Sequence, residues 1–356
     1  MSSYTLRQLL EEAAIQLDEV KVPDPRYDAR ALLLSSFQLS AAQYLLYEGE
    51  VLDALIPRIL PDREALHAAE VRFRSFLERR RRREPLQQIL GTTGFYGLDF
   101  VVTRDVLCPR ADTETLVDAV LGNLMPEQIA ARSTHAQEEK TGRAMQNVKA
   151  AEKEADGLRE SMTSTVDKWP AFLQNVDNAG ASLLDVCTGS GCIAVSLAKF
   201  GAFREVTAVD ISDAALAVAR ENVTRLLTPS VDFTLLRSDM FSALAERTGE
   251  DGERKRYDVI VSNPPYIPSA VVDELEPEVR DYEPRLALDG TADGLHFYRI
   301  LAQESGKYLN PGGRLYLEIG YDQGRSVPAL LEAAGFQEVT VIRDFGGHDR
   351  VVAGHL

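Results

Sequence analysis

Apolar positions in the first 84 residues recur at helical spacing. In the stretch TLRQLLEEAAIQL, Leu6, Leu9, Leu10, Ala13, Ala14 and Leu17 fall at i, i+3 and i+4, the pattern of a helix that buries one face. Similar stripes run over 29–37 and 63–77, separated by Pro23, Pro25, Pro57 and Pro61, which punctuate helices because proline lacks the N–H a helix interior needs. Residues 1–84 are therefore expected to form a small helical bundle. Its last helix runs into the arginines at 79–83. They read as a solvated helix end, where cations suit the dipole, in preference to a patch for nucleic acid or an acidic partner. Over 85–110 the pattern changes to alternation with glycines, ILGTTGFYGLDFVVTRDVLCPR, which predicts a β-hairpin linking two domains. A helix is expected to start near Asp112, with Leu116, Val117, Val120, Leu121 and Leu124 on one face.

A second domain is expected over 111–356, interrupted at about 127–180. Residues 135–165 are rich in Glu, Lys, Gln, Ala and Ser and carry no aromatic residue, the composition of a solvated surface insertion. A thin stripe of Met145, Val148, Ala151, Ala155, Leu158 and Met162 would also allow one amphipathic, partner-binding helix, the weaker of the two readings. Regular alternation begins at Leu183. LLDVC, EVTAVD, VDFTLLRSD, YDVIVS, GRLYLEIG, FQEVTVIRD and DRVVAG have strand length and β-branched content, and helical patterns separate most of them. Strand and helix taken in turn predict an α/β fold with a mostly parallel, seven-stranded, Rossmann-like sheet. The last two strands are joined by FGGH, too short for a crossover, so the C-terminal pair should be antiparallel.

Composition narrows the function without naming it. The chain has 356 residues and a net charge of −16, which argues against an affinity built on neutralising many phosphates. Three cysteines, Cys108, Cys187 and Cys192, are too few and wrongly spaced for a disulfide framework or a zinc site. No apolar run has membrane length, and a cytoplasmic protein is expected.

The candidate chemistry sits at strand ends. Between the strand at 183–187 and the next helix lies DVCTGSG, where Gly189 and Gly191 permit a sharp turn and let the backbone approach a ligand. Asp210 ends the following strand, 19 residues after Gly191, where a carboxylate can accept both hydroxyls of a ribose. It could instead cap the next helix, although Ser212 can serve there. Asp239, ending the third strand, is placed for an adenine edge. The glycines do not complete the dinucleotide fingerprint and no phosphate-gripping Lys-Ser/Thr occurs, so a nucleoside without phosphates is favoured. The fourth strand ends in Asn263, Pro264, Pro265 and Tyr266. Two prolines remove two N–H donors and leave a turn dominated by acceptors, which suits a substrate that is a planar NH2 group.

Taken together, DVCTGSG, AVDIS, SDMF and SNPPY resemble the motifs of class I S-adenosylmethionine-dependent methyltransferases. With PLQQILGTTGFYGLDFVVTRDVLCPRADTETLV, NPPYIP, PEVRDYEPRLALDG, DGLHFYR, PGGRLYLEIG and DRVV, the chain outside the insertion resembles the HemK/PrmC family, the glutamine-N5 methyltransferases of class I peptide chain release factors. The resemblance implies that Cys187, Thr188, Gly189, Ser190 and Gly191 contact the methionine end of S-adenosylmethionine, Asp210 its ribose, and Asp239 with Met240 its adenine. It implies that Asn263, also beside the cofactor, Pro264, Pro265 and Tyr266 hold the substrate glutamine, with Asn263 and Pro264 supplying the catalytic acceptors. The helical domain and hairpin would dock the release factor. The chain departs from the family pattern at Cys187, where glycine is usual, at Ala111 and Asp112, where Pro-Glu is common, and at Gln88, where tyrosine is common. Two other readings compete: a methyltransferase for a nucleobase amino group, which the same Asn-Pro-Pro-aromatic turn would fit, and a non-catalytic S-adenosylmethionine-binding factor of translation.

Overall fold

The computed structural model describes residues 4–122, 178, 180–249 and 252–356; the expected insertion at about 127–180 falls almost wholly outside them. Two compact units emerge, one of Met1–Thr93, Val102–Arg104 and Leu275–Glu283, the other of Gly94–Val101, Asp105–Glu274 and Pro284–Leu356.

The first unit is helical. Helix α1 (Leu6–Glu19) starts at a capping box in which Thr5 and Gln8 satisfy each other's backbone N–H, a local stop signal for an otherwise orphaned helix end. Helices α2 (Pro25–Phe37), α3 (Ala41–Tyr47) and α4 (Arg63–Arg81) follow. Leu6, Leu10, Leu17, Leu32, Leu33 and Phe37 are buried in their common core. Residues 86–90, read from sequence as the start of a hairpin, form a short helix, α5 (Leu86–Leu90), closed by Gly91 in the left-handed conformation. Five good helix formers between Pro85 and a glycine explain the difference.

The arginine run is only in part the solvated end expected: Arg82 is 72% exposed, while Arg80 and Arg83 turn inward. Arg80 continues the buried face that Phe73 and Leu77 begin, and it donates to Asp28 at 2.6 Å and to Glu278 at 2.9 Å. Arg83 also reaches Glu278, at 2.6 Å. Arg79 pairs with Glu84, and Arg81 and Arg82 pair with Glu78. Asp28 and Glu278 are distant in sequence, so a local reading had no access to these partners. Burial pushes the Glu278 carboxyl up, but hydrogen bonds from Arg83 and Arg80 outweigh it and hold the group below its ordinary value. Removing the arginine would strand the Asp28 carboxylate and leave Glu278 with Arg83 as its partner. Arg80→Ala is therefore expected to destabilise this unit by about 3–5 kcal/mol, read as a lower urea midpoint.

The second unit is an α/β sandwich. Its strands are β3 (Ser182–Val186), β4 (Glu205–Asp210), β5 (Asp232–Arg237), β6 (Tyr257–Ser262), β7 (Leu309–Glu318), β8 (Gln337–Arg343) and β9 (Asp349–His355); an earlier hairpin is made by β1 (Thr92–Phe95) and β2 (Leu98–Val101). They form a seven-stranded sheet in the order β5-β4-β3-β6-β7-β9-β8, parallel except that β9 runs antiparallel to both neighbours. The antiparallel C-terminal pair is as expected. Alternate strand residues face opposite layers: Leu183, Val259 and Val261 share one core with α6 (Glu114–Leu121) and α7 (Cys192–Phe200), while Leu184, Val186 and Ile260 share the other. Helix α8 (Asp213–Leu226) joins β4 to β5. The chain steps outward from β3 through β4 and β5, then returns to place β6 on the other side of β3. Ligands bind at such a switch point, outside the carboxyl ends of the strands. Cys187 follows β3 and Asn263 follows β6, so the topology alone sets the two candidate turns side by side. Among the described residues no helix is long and apolar enough to cross a membrane.

Candidate active site

The turn after β3 is built from left-handed residues. Cys187, Gly189 and Gly191 have φ of 65°, 55° and 80°, which glycine adopts freely and cysteine only at a cost of about 1–2 kcal/mol. Beneath the turn, Asp185 is fully buried and accepts from the Thr188 hydroxyl at 2.6 Å; burial pushes its carboxyl up to about 7. A Cβ on Gly191 would lie 3.3 Å from that of Ala219. Gly191 therefore lets α7 and α8 approach. Asn222 of α8 holds the turn from behind, donating to Ser190 O at 2.9 Å and also bonding Val101 of the hairpin.

Asp210 does both things that its sequence position allows. Oδ1 accepts from Ser212 N–H at 2.9 Å and Oδ2 from Gly189 N–H at 2.8 Å, which ties the ends of β3 and β4 together. Ser212 Oγ is the side-chain cap of α8. Burial pushes the Asp210 carboxyl up, against the pull of these amides. Each carboxylate oxygen keeps a lone pair for a further donor. After β5, Ser238 Oγ accepts from Ala243 N–H and donates to Met240 O, shaping the bend that carries Asp239 and Met240.

After β6 the chain is clamped. Ile267 N–H donates to Leu288 O and Gly290 N–H returns to Ile267 O. Gln323 Nε2 donates to Tyr266 O and to Gly294 O, both at 3.2 Å. Asn263 is half-buried and Pro264 and Pro265 are buried.

These turns line a cleft of about 340 Å³, within the usual range for small-molecule sites. Of the residues expected from sequence, Cys187, Thr188, Gly189, Ser190, Asp210, Asp239, Met240, Asn263 and Pro265 are on its wall. Gly191, Pro264 and Tyr266 are not: Gly191 is taken up by helix packing, Pro264 is buried, and Tyr266 packs against the apolar cluster around Tyr298 and Leu317. Sequence reasoning gave no role to Arg110, Thr113, Pro284, Leu286 and Phe297, which also line the cleft. They lie in DVLCPRADT, EPRLALDG and DGLHFYR, stretches whose mixed polar and apolar character with little regular periodicity is the signal that could have found them. Asp105, Asp210 and Asp239 in its lining suit hydroxyl and amino donors, and a ligand that carries positive charge. Ile211, Ala215 and Met240 offer an apolar surface for a flat ring. The residues thus fit S-adenosylmethionine.

Residues 164–275 match the family described as "Methyltransferase small domain". The chain is 38% identical over 283 residues to a release factor glutamine methyltransferase of Geobacter sulfurreducens, across 80% of this chain and 77% of that protein. It is 35% identical over 352 residues to one of Caulobacter vibrioides, across 99% and 96%. Among solved structures, a release factor-specific protein-(glutamine-N5) methyltransferase from Alicyclobacillus acidocaldarius is 26% identical and covers 72% of this chain and 98% of its own, with a TM-score of 0.33.

Proposed function

The chain belongs to the release factor glutamine methyltransferases, and we propose that it transfers a methyl group to the side-chain amide nitrogen of the glutamine in the Gly-Gly-Gln loop of class I peptide chain release factors. The observation that carries this reading is the acceptor-rich turn at Asn263, held at the switch point in a cleft also lined by Asp105, Asp210 and Asp239. The cofactor is S-adenosylmethionine, which when bound supplies an electrophilic methyl group. Asp210 would accept from its ribose, Asp239 and Met240 would receive the adenine, and residues 187–190 would meet the methionine end, with Gly191 acting from behind by setting the turn.

The substrate determines what the protein must do. An amide nitrogen has its lone pair delocalised into the carbonyl and is a poor nucleophile, yet it is far too weak an acid to lose a proton at neutral pH. The Asn263 side-chain oxygen and the Pro264 carbonyl can each accept one of its two N–H groups and so fix the direction of the nitrogen. Pro265, on the cleft wall, would bound the amide plane, with Tyr266 supporting the turn from the apolar cluster behind it. Alignment in a site closed to water is worth up to about 7–11 kcal/mol for well-oriented partners. No general base is needed, because the nitrogen becomes acidic only as the new bond forms and its proton can leave afterwards.

Docking of the release factor is assigned to the helical unit and the hairpin. A substrate that serves translation termination implies the cytoplasm as the place of reaction. The arginines at 79–83, the surface considered for the nucleobase reading, are each paired with a carboxylate of the chain, which weakens that reading.

Incubation with a class I release factor and isotopically labelled cofactor, followed by peptide mass spectrometry, tests the assignment. The label is expected on the glutamine of the Gly-Gly-Gln loop; label on another residue would overturn it. Asp210→Ala should weaken S-adenosylmethionine binding by about 10–100-fold through loss of a charge-assisted hydrogen bond, measured by calorimetry. Unchanged affinity would restrict Asp210 to ordering the turn.

A further inference from the structure

One buried acid beside the cleft has no part in the scheme above. Strands β6 and β7 pair in parallel with Ser262 opposite Leu317, so the next residues, Asn263 just past β6 and Glu318 at the end of β7, are neighbours. Glu318 is 2% exposed. The side chains of Asn263 and Thr113 lie close enough to draw its carboxyl down, and its Oε2 is buried with no hydrogen-bond partner among the described residues. Its backbone carbonyl accepts from the Tyr298 hydroxyl at 2.8 Å, which fixes the strand end on which the carboxyl stands. A lone acid in the apolar run LYLEIG is costly to bury and calls for a reason.

We propose that Glu318 is a positioning residue for methyl transfer: its carboxylate accepts an N–H from the Asn263 side-chain amide and thereby turns the Asn263 oxygen toward the substrate. This rests on the reading of Asn263 as the acceptor for the glutamine amide. A side-chain amide has a donor end and an acceptor end of nearly the same shape, and only its hydrogen bonds decide which end faces where. Flipped, Asn263 would offer NH2 to the NH2 of the substrate, donor against donor, and the nitrogen would lose its aim. An ionised carboxylate accepts and never donates, so it can hold only the NH2 end of Asn263. A protonated one has an O–H to give and would stabilise the flipped amide.

The device is therefore sensitive to pH. Burial pushes the Glu318 carboxyl up to about 7, with Asp112 acting in the same sense, while Thr113, Arg350 and Asn263 draw it down. The other titratable groups facing it are the Tyr266 and Tyr298 phenols and the Cys192 thiol. The working form is the ionised one, present above the folded-state pKa. Transfer should thus be lost as pH falls through about 7. The substrate amide does not titrate in this range, and Asp185, also pushed up to about 7 beneath the cofactor turn, would show its titration in S-adenosylmethionine affinity.

The test compares wild type and Glu318→Gln on an intact release factor, between about pH 5.5 and 9, with S-adenosylmethionine affinity measured in parallel. Wild-type kcat should fall about tenfold per pH unit below the limb. At pH 8 the variant should keep cofactor affinity within about twofold and lose about 10–100-fold in kcat, because glutamine can pair with either end of Asn263; its acid limb should vanish. An acid limb that survives in the variant, or a variant with wild-type kcat, overturns the proposal while leaving the methyltransferase reading intact. If the variant fails to fold, the wild-type profile decides, since a flat profile between pH 6 and 8 also overturns it. No transfer to the release factor by wild type at any pH would instead mean that the reading of the reaction has failed.

Discussion

Asn263→Ala should lower methyl transfer by about 10²–10³-fold, the loss typical of removing one preorganised hydrogen-bonding group from a reacting centre, while S-adenosylmethionine affinity stays within about threefold. The groups assigned to the cofactor are spread over three other strand ends, those of β3, β4 and β5, so deleting one side chain after β6 removes little of the binding. What it removes is the acceptor that points the substrate nitrogen. An interaction used to align the reacting atoms shows in kcat more than in the binding of either partner alone. Asn263→Asp is the sharper variant. It keeps an acceptor oxygen but puts a second carboxyl beside Glu318, and like charges at that distance cannot both ionise cheaply. Single-turnover rates and calorimetry on both variants check the argument; an alanine variant that transfers at the wild-type rate would remove Asn263 from the mechanism.

Gly294→Ala is expected to be nearly as damaging although it touches no ligand. Gly294 has φ of +71°, and a Cβ there would stand 2.3 Å from the Tyr266 carbonyl oxygen and 3.1 Å from Gln323 Nε2. Gly290 is also tight, with the Tyr266 backbone 2.8 Å from its Cβ position. These glycines and Gln323 form the clamp that holds the 263–266 turn. Alanine must push the Tyr266 carbonyl away, and a displacement of about 1 Å at a reacting centre can cost about a hundredfold in rate. The left-handed backbone adds about 1–2 kcal/mol of strain to the folded state. A lower melting temperature together with a kcat reduced about a hundredfold is the expected result, with cofactor affinity largely kept. Wild-type turnover would show that the turn is not held from this side.

The α/β alternation from Leu183 onward was legible because buried strands and amphipathic helices carry period and length in the chain itself, and because FGGH is too short for anything but a hairpin. Asp210 and the glycines were legible as a turn, but their division of labour was not. That Gly191 serves the approach of Ala219 depends on a helix 28 residues away in sequence, and that Asp210 binds Gly189 N–H depends on the pairing of β3 with β4. The same limit hid the partners of Arg80. Glu318 stood in plain sight as an acid in an apolar strand, yet its significance lies in the register that sets it beside Asn263. Segment Leu275–Glu283 belongs to the helical unit, and no periodicity in nine residues could announce that. What local pattern encodes is element and turn; what it leaves out is every relation created by strands and helices meeting across the chain.

The central claim is that the methyl acceptor is a neutral glutamine amide held by the Asn263 turn. Its most direct test uses the wild-type protein, labelled S-adenosylmethionine and two versions of one class I release factor, differing only by glutamate in place of the glutamine of the Gly-Gly-Gln loop. Label is expected on the glutamine form and none on the glutamate form, which has no NH2 to offer. Label that persists on the glutamate form, or that appears only when DNA or RNA is added, would contradict it.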